Sequence, residues 1–233
     1  MMHIRVINPT ITTSWEQESL DAYRLAAGPD TEVTITTLTH GTVSLESHRD
    51  LAVVIPGILA RAVEAQDEGV DAVIVDCMLD PGVRPARELL DIPVFGPAEP
   101  TMHLAATLGY RFSVLTVLDS LIPLVERQVD RYGLTCRLAS VRSLQIPVME
   151  LDDDMAKTLS VAIDVSTRAV EEDGAHVIIP GCTSLAGKAH LIQAGLADQG
   201  IDVTVIDPPS VATRTVEAVV SMGLSHSRRT YPS

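Results

Sequence analysis

Two stretches of this chain repeat one another: Glu68-Gly-Val-Asp-Ala-Val-Ile-Val-Asp-Cys77 and Asp173-Gly-Ala-His-Val-Ile-Ile-Pro-Gly-Cys182. In each, an acidic residue and a glycine close a helix, an aliphatic β-branched run follows, and a cysteine stands where that run ends. A strand apolar on both faces needs helices above and below it. The repeated phrase therefore commits the chain to open α/β sheets, whose ligands sit beyond the carboxyl ends of the strands. Two thiols delivered to matching stations by two halves of one chain point to a pseudo-symmetric site, with one cysteine on each side of a substrate.

The rest of the chain alternates in the same way. The patterning predicts strands over 3–7, 32–37, 72–75, 94–95, 113–116, 137–141, 177–179 and 203–206. Helices are predicted over 14–27, 48–66, 84–90, 101–108, 120–131, 152–172, 184–195 and 210–221. Gly69, Gly109, Gly133 and Gly174 each follow a helical stretch, where a left-handed cap favours glycine. Pro56 removes a backbone donor and is expected to kink or break its helix. The repeat extends further: Ile92-Pro-Val-Phe-Gly-Pro97 parallels Ile201-Asp-Val-Thr-Val-Ile-Asp-Pro208, and the strand at 3–8 parallels that at 111–116. This predicts an α/β fold of two similar lobes, each a mostly parallel sheet flanked by helices, with the site in a cleft between them. The lobes span 1–95 with 209–224, and 96–208; the polar segment 225–233 is expected to be a frayed, disordered tail.

Composition narrows the function. Aromatic residues are 3% of the chain, which disfavours stacking platforms for bases or flavins, and a formal net charge of −14 repels nucleic acid and anionic membranes. No apolar run approaches the roughly 18 to 20 residues that span a bilayer. The opening Met1-Met-His-Ile-Arg-Val-Ile-Asn8 reads as a strand rather than a secretion signal, and a cytoplasmic location is expected. Three cysteines with no Cys-x-x-Cys pair argue against a disulfide framework, and the scattered histidines give no support for a metal. The chain has no glycine-rich phosphate loop, serine nucleophile elbow or His-Glu metal motif, which disfavours phosphotransferases, serine hydrolases and dinucleotide enzymes.

Cys77 and Cys182 are the candidate acid–base groups, because amides at a following helix start would favour the thiolate, whose ordinary pKa is about 8.5. Cys136 has no counterpart in the repeat and is read as structural. Thr183 and Ser184 carry hydroxyls and amides that could hold an enolate oxygen or cap the helix expected from Ser184. Asp76 and Met78 flank the first thiol; side-chain alternation would turn Asp76 to the opposite face from Cys77. Asn8 and Thr116 end their strands where a substrate-binding group would stand, and Ser44 could bind substrate or, like Glu46, cap the next helix.

These residues, with Ile7-Asn-Pro9, Gly41-Thr-Val-Ser-Leu-Glu46, Cys77-Met-Leu-Asp-Pro-Gly82, Ala86-Arg-Glu88, Gly96-Pro-Ala-Glu99, Arg111-Phe-Ser-Val114, Ile146-Pro-Val148 and Gly181-Cys182, resemble the aspartate/glutamate/hydantoin racemase superfamily, most closely its hydantoin racemase branch. The resemblance implies cofactor-independent proton transfer at a carbon beside a carbonyl, small-molecule substrates and a homo-oligomer. Its two cysteines fall on Cys77 and Cys182. One thiolate would remove a proton from one face and the other thiol protonate the opposite face, while amides after each cysteine, with Asn8 and Thr116, stabilise the enolate. The chain departs from the pattern at Asp76, where the family phrase has alanine, and at Asn8-Pro-Thr-Ile-Thr-Thr-Ser-Trp15, so the groups around the substrate differ. A maleate-type isomerase or a decarboxylase on the same fold, and a non-catalytic ligand-binding protein, remain alternatives.

Overall fold

The aliphatic run ahead of Cys77 forms a strand, β3 (Ala72–Val75), buried at every residue. In the computed structural model, which describes residues 1–232, it lies between β1 (Met2–Asn8) and β4 (Val94–Phe95). With β2 (Thr31–Thr37) these make a parallel sheet in the order β2-β1-β3-β4. Period-two alternation splits the sheet into two apolar faces. Ile7, Val73, Val75 and Val94 pack with Val54, Ile58, Ala62 and Ala65 of α2 (His48–Asp67) and Val83 and Ala86 of α3 (Val83–Leu89). On the other face, Ile4, Val6, Val33, Ala72 and Ile74 pack with Leu20 and Tyr23 of α1 (Glu16–Ala26) and Ala212 and Val216 of α8 (Pro208–Ser221). Burying each such Val, Leu or Ile contributes about 1.5–3 kcal/mol, which outweighs the modest β-propensity of any one residue.

The second half repeats this architecture. Strands β5 (Phe112–Thr116), β6 (Leu138–Ser143), β7 (Val177–Pro180) and β8 (Thr204–Val205) form a parallel sheet in the order β6-β5-β7-β8. Its helices are α4 (Ala98–Leu108), α5 (Ile122–Arg131), α6 (Met155–Glu171) and α7 (Ala189–Asp198). Gly195 lets α7 lie close to α6, since a β-carbon there would fall 2.3 Å from Ile163 Cδ1. The chain divides into two compact units, Met1–Pro97 with Pro209–Ser233, and Ala98–Pro208. Among the described residues no helix is long and apolar enough to cross a membrane.

Several local expectations are corrected. Of the kink or break expected at Pro56, the break does not occur: α2 continues through it, with Pro56 and Ala52, the residue whose carbonyl loses its partner, both on the exposed side while the buried stripe holds the other face. Gly69, Gly133 and Gly174 adopt the left-handed conformation, but Gly109 does not. A β-carbon on Gly109 would meet Val177 Cγ2 at 2.8 Å and His176 Cβ at 2.9 Å, so close packing on β7 is what requires glycine there. Neither Ser44 nor Glu46 caps α2. Ser47 does, accepting from Asp50 N at 3.2 Å and donating to Asp50 Oδ2 at 2.8 Å.

The segment 225–233 is not frayed, Ser233 itself lying outside the described residues. Ser225 Oγ donates to Asp91 O at 2.8 Å, His226 Nε2 accepts from Val94 N at 2.9 Å, and Arg228 Nη1 donates to Arg87 O at 3.1 Å. The segment has no apolar period because polar and aromatic contacts to α3 and β4, more than a hundred residues earlier in the chain, hold it.

Candidate active site: two equivalent cysteine turns

The two phrases are equivalent in hydrogen bonding as well as in sequence. In the first unit, Asp71 N donates to His3 O at 2.8 Å and Asp76 N to Ile7 O at 2.9 Å, opening and closing the β1–β3 ladder. In the second, His176 N donates to Arg111 O at 2.9 Å and Gly181 N to Leu115 O at 2.7 Å, opening and closing the β5–β7 ladder. Each cysteine is thus the first residue beyond the last rung of its ladder, at the carboxyl end of a sheet. Asn8 and Thr116 each follow the residue that accepts that last rung, so they too hold equivalent stations. The acids that open the phrases lie at the other end of the strands and are tied to arginines, Glu68 to Arg5 at 2.7 Å and Asp173 to Arg142 at 2.6 Å. The hydrogen bond from Arg142 holds the Asp173 carboxyl below its ordinary range, against the opposing effect of burial.

Around Cys77 the chain makes a tight turn before α3. Asp80 N donates to Cys77 O at 2.9 Å, and Leu79 N donates to Cys77 Sγ at 3.5 Å. An N–H directed at sulfur favours the thiolate. The amide comes from the turn and not from a helix start, because α3 begins only at Val83. Asp76 is buried and accepts from the Tyr23 hydroxyl at 2.9 Å, while Cys77 packs against the opposite face of the sheet. The alternation expected from sequence therefore holds. Met78 is buried in its unit.

Asn8 is buried, and its polar atoms serve its own loop. Nδ2 donates to Thr12 O at 2.8 Å and to Thr37 Oγ1 at 3.2 Å, and Oδ1 accepts from Thr10 N at 3.2 Å and Thr10 Oγ1 at 2.9 Å. With both amide hydrogens donated to Thr12 and Thr37, Asn8 shapes the loop after β1. Ser44 is half-buried, and its carbonyl accepts from Thr42 Oγ1 at 2.7 Å; that segment pairs with the loop after β1 through Ile11 N to Thr42 O at 3.0 Å.

In the second unit Cys182 is half-buried and extended, heading a short 3-10 turn, Thr183–Leu185. Leu185 N donates to Cys182 O at 3.0 Å and Ala186 N to Thr183 O at 2.9 Å. The helix expected from Ser184 starts at Ala189, after the left-handed Gly187. The group that follows Cys182 is therefore a single turn of backbone amides, with Ser184 buried, Thr183 half-buried and Lys188 Nζ donating to Ser184 O at 3.3 Å. Thr116 is buried at the end of β5. Cys136 is exposed and precedes β6, at the opposite end of the sheet from Cys182.

Sequence reasoning missed the groups that brace the Cys77 turn. Tyr23 carries no local signal for its bond to Asp76, 53 positions away. Asp80 was legible only as part of Asp80-Pro-Gly82; it sits in left-handed backbone (φ 46°) with its carboxylate packed on Gly96.

Comparison with known proteins gives a consistent picture. The chain is 35% identical to a hydantoin racemase from Pseudomonas sp. (strain NS671) over 99% of its own length and 91% of that protein. It superposes with a TM-score of 0.93 on an allantoin racemase from Klebsiella pneumoniae, at 30% identity over 100% of this chain and 94% of the other. An allantoin racemase from Pseudomonas fluorescens also gives 0.93, at 33% identity over 100% and 97%. The family model for Asp/Glu/hydantoin racemases matches residues 4–216. With both cysteine phrases and nearly the whole length inside that match, the chain belongs to the Asp/Glu/hydantoin racemase family.

Proposed function

We propose that this chain racemises hydantoins substituted at C5, using Cys77 and Cys182 as an acid–base pair. The observation that carries the reading is that both thiols follow the last rung of equivalent ladders. The names of the similar proteins support the substrate class, since allantoin is itself a hydantoin bearing a ureido group at C5. A hydantoin suits thiols as bases because its C5–H lies between a carbonyl and a nitrogen and is already activated.

In the proposed reaction one cysteine, as thiolate, takes the C5 proton, and the electron pair moves onto the neighbouring carbonyl oxygen to give a planar enolate. The other cysteine, as thiol, then delivers a proton to the opposite face of C5, which leaves the charge on the second sulfur and restores the carbonyl. The roles reverse for the other enantiomer. Donors for the enolate oxygen are assigned to the Thr183 and Ser184 amides and the Thr116 hydroxyl, since Asn8 is committed to its loop. A homo-oligomeric state belongs to the same proposal, on the family resemblance, and light scattering of the purified chain tests it.

The catalytic test is incubation of single-enantiomer 5-substituted hydantoins in deuterated water, followed by circular dichroism and proton exchange. Racemisation with deuterium gained at C5 is the expected result. Saturable binding without exchange would instead establish a ligand-binding protein, and loss of carbon dioxide from malonates without racemisation would establish the decarboxylase reading.

A further inference from the structure

The closing segment of the chain converges on Arg87. This buried guanidinium donates from Nε to Val94 O at 2.9 Å and from Nη1 to the Tyr231 hydroxyl at 3.1 Å, and lies over the rings of Phe95 and Tyr231, 5.4 and 5.5 Å from their centroids. The His226 ring stands 5.3 Å from Phe95 and 5.7 Å from Tyr231, with Nε2 2.9 Å from both the N–H and the carbonyl of Val94. Strand β4 is the last strand of its sheet, so these contacts occupy an edge whose backbone groups have no neighbouring strand.

β4 leads directly into Gly96, where a β-carbon would lie 2.0 Å from Asp80 Oδ1. Asp80 is held in left-handed backbone between that contact and its N–H bond to Cys77 O, and Gly82 two residues on is left-handed as well. The same turn aims Leu79 N at Cys77 Sγ. A continuous line of contacts thus runs from the closing segment through β4 and Gly96 to Asp80 and the cysteine turn.

We propose that segment 225–231 is a strap that positions the Cys77 turn, with Arg87, His226 and Asp80 as positioning residues. It holds β4 and α3 so that Gly96 and Asp80 set the geometry in which the Leu79 amide meets the thiol. The inference rests on Cys77 being an acid–base group. Two acids stand within three residues of the thiol in the chain: Asp76, which accepts from the Tyr23 hydroxyl on the opposite face of the sheet, and Asp80, whose carboxylate packs on Gly96. Loosening the strap releases the Asp80 turn, which draws the Leu79 amide away from the sulfur and frees the Asp80 carboxylate, and both changes disfavour the thiolate.

The test uses iodoacetamide as the probe on the full chain across a pH series, with mass spectrometry reading Cys77, Cys136 and Cys182 separately. In His226→Ala and in a chain ending at Leu224, the Cys77 profile should move up by about one pH unit, a roughly tenfold loss of thiolate near neutrality. Cys136 and Cys182 should keep their wild-type profiles. Hydantoin kcat should fall by about tenfold with KM within about twofold. His226→Gln, which can serve both Val94 groups, should restore the Cys77 profile. A Cys77 profile unchanged in folded His226→Ala overturns the proposal, as does an equal shift at Cys182, which would mean general loosening. Should the shortened chain not fold, the two His226 variants decide. If wild type moves no proton on any hydantoin, the catalytic reading fails, while a shift confined to Cys77 would still support the strap.

Discussion

Asp76 and Gly181 hold the same rung of their two ladders: the N–H of one donates to Ile7 O at 2.9 Å, that of the other to Leu115 O at 2.7 Å. The residues themselves are unlike for a local reason. Asp76 has room for a side chain that reaches Tyr23, whereas a β-carbon at 181 would meet Leu115 O at 2.6 Å and Val114 Cγ1 at 2.8 Å. The halves thus share backbone geometry and differ in what surrounds it.

If the thiols are the acid–base pair, Cys77→Ser and Cys182→Ser each lower kcat by about 10²–10⁴-fold, the span that a positioned proton-transfer group contributes. Cys136→Ser, at the far end of its sheet, retains wild-type turnover. Polarimetry on a single-enantiomer hydantoin reads all three, and near-normal rates in both active-site variants would refute the pair.

Gly181→Ala forces backbone apart, because the nearest atom to the new methyl is the Leu115 carbonyl oxygen. A cost of about 1–3 kcal/mol is expected from such overpacking. Urea unfolding measures it, and a variant as stable as wild type would show that β7 can shift at no cost.

Tyr23→Phe removes a donor from the buried Asp76 carboxylate while keeping the ring in the core. The expected loss is about 1–3 kcal/mol of stability. Cys77, on the opposite face of the sheet, should keep its alkylation rate; a slowed Cys77 would mean that Asp76 acts on the thiol after all.

Burial pushes the Glu217 carboxyl of α8 up, but hydrogen bonds from Thr31 Oγ1 at 2.6 Å and Gly28 N at 2.7 Å, with Arg214 at 2.9 Å, hold it below the ordinary glutamate range. A carboxylate with a lowered folded pKa adds stability that is complete above its unfolded pKa and lost as pH falls through the folded one. Wild type should therefore exceed Glu217→Gln in urea midpoint at pH 7, by roughly 1–2 kcal/mol, and the two should converge as the solution is taken below the ordinary carboxylate range. A pH-independent gap between them would contradict this.

What could be read from the sequence follows from how local each cause is. Strands β3 and β4 have the limits expected of them: the β3 run, buried at every residue, stops at Asp76, and β4 is bounded by Pro93 and by Gly96-Pro97. The station of Cys77 and Cys182 was legible for the same reason. The loop amides were not: Ser184 looked like a helix cap, yet the chain spends Thr183–Leu185 on a 3-10 turn and needs Gly187 before α7 can start. Asn8 stood at a binding position by pattern, but its amide hydrogens go to Thr12 and Thr37, a choice fixed by the loop and by the neighbouring strand. The strap was invisible because His226 and Val94 are 132 positions apart and no periodicity links them.

The first unit is discontinuous, closed by Pro209–Ser233, while the second is a single uninterrupted span. During synthesis from the amino end, Ala98–Pro208 is complete while the earlier unit still lacks α8, whose Ala212 and Val216 cover Ile4, Val6 and Ile74. The half that begins first finishes last, holding an uncovered apolar sheet face until α8 has emerged. A nascent chain arrested before α8 has emerged should therefore show a protease-resistant second unit beside a protease-sensitive first one, and equal resistance of both would exclude this order of folding.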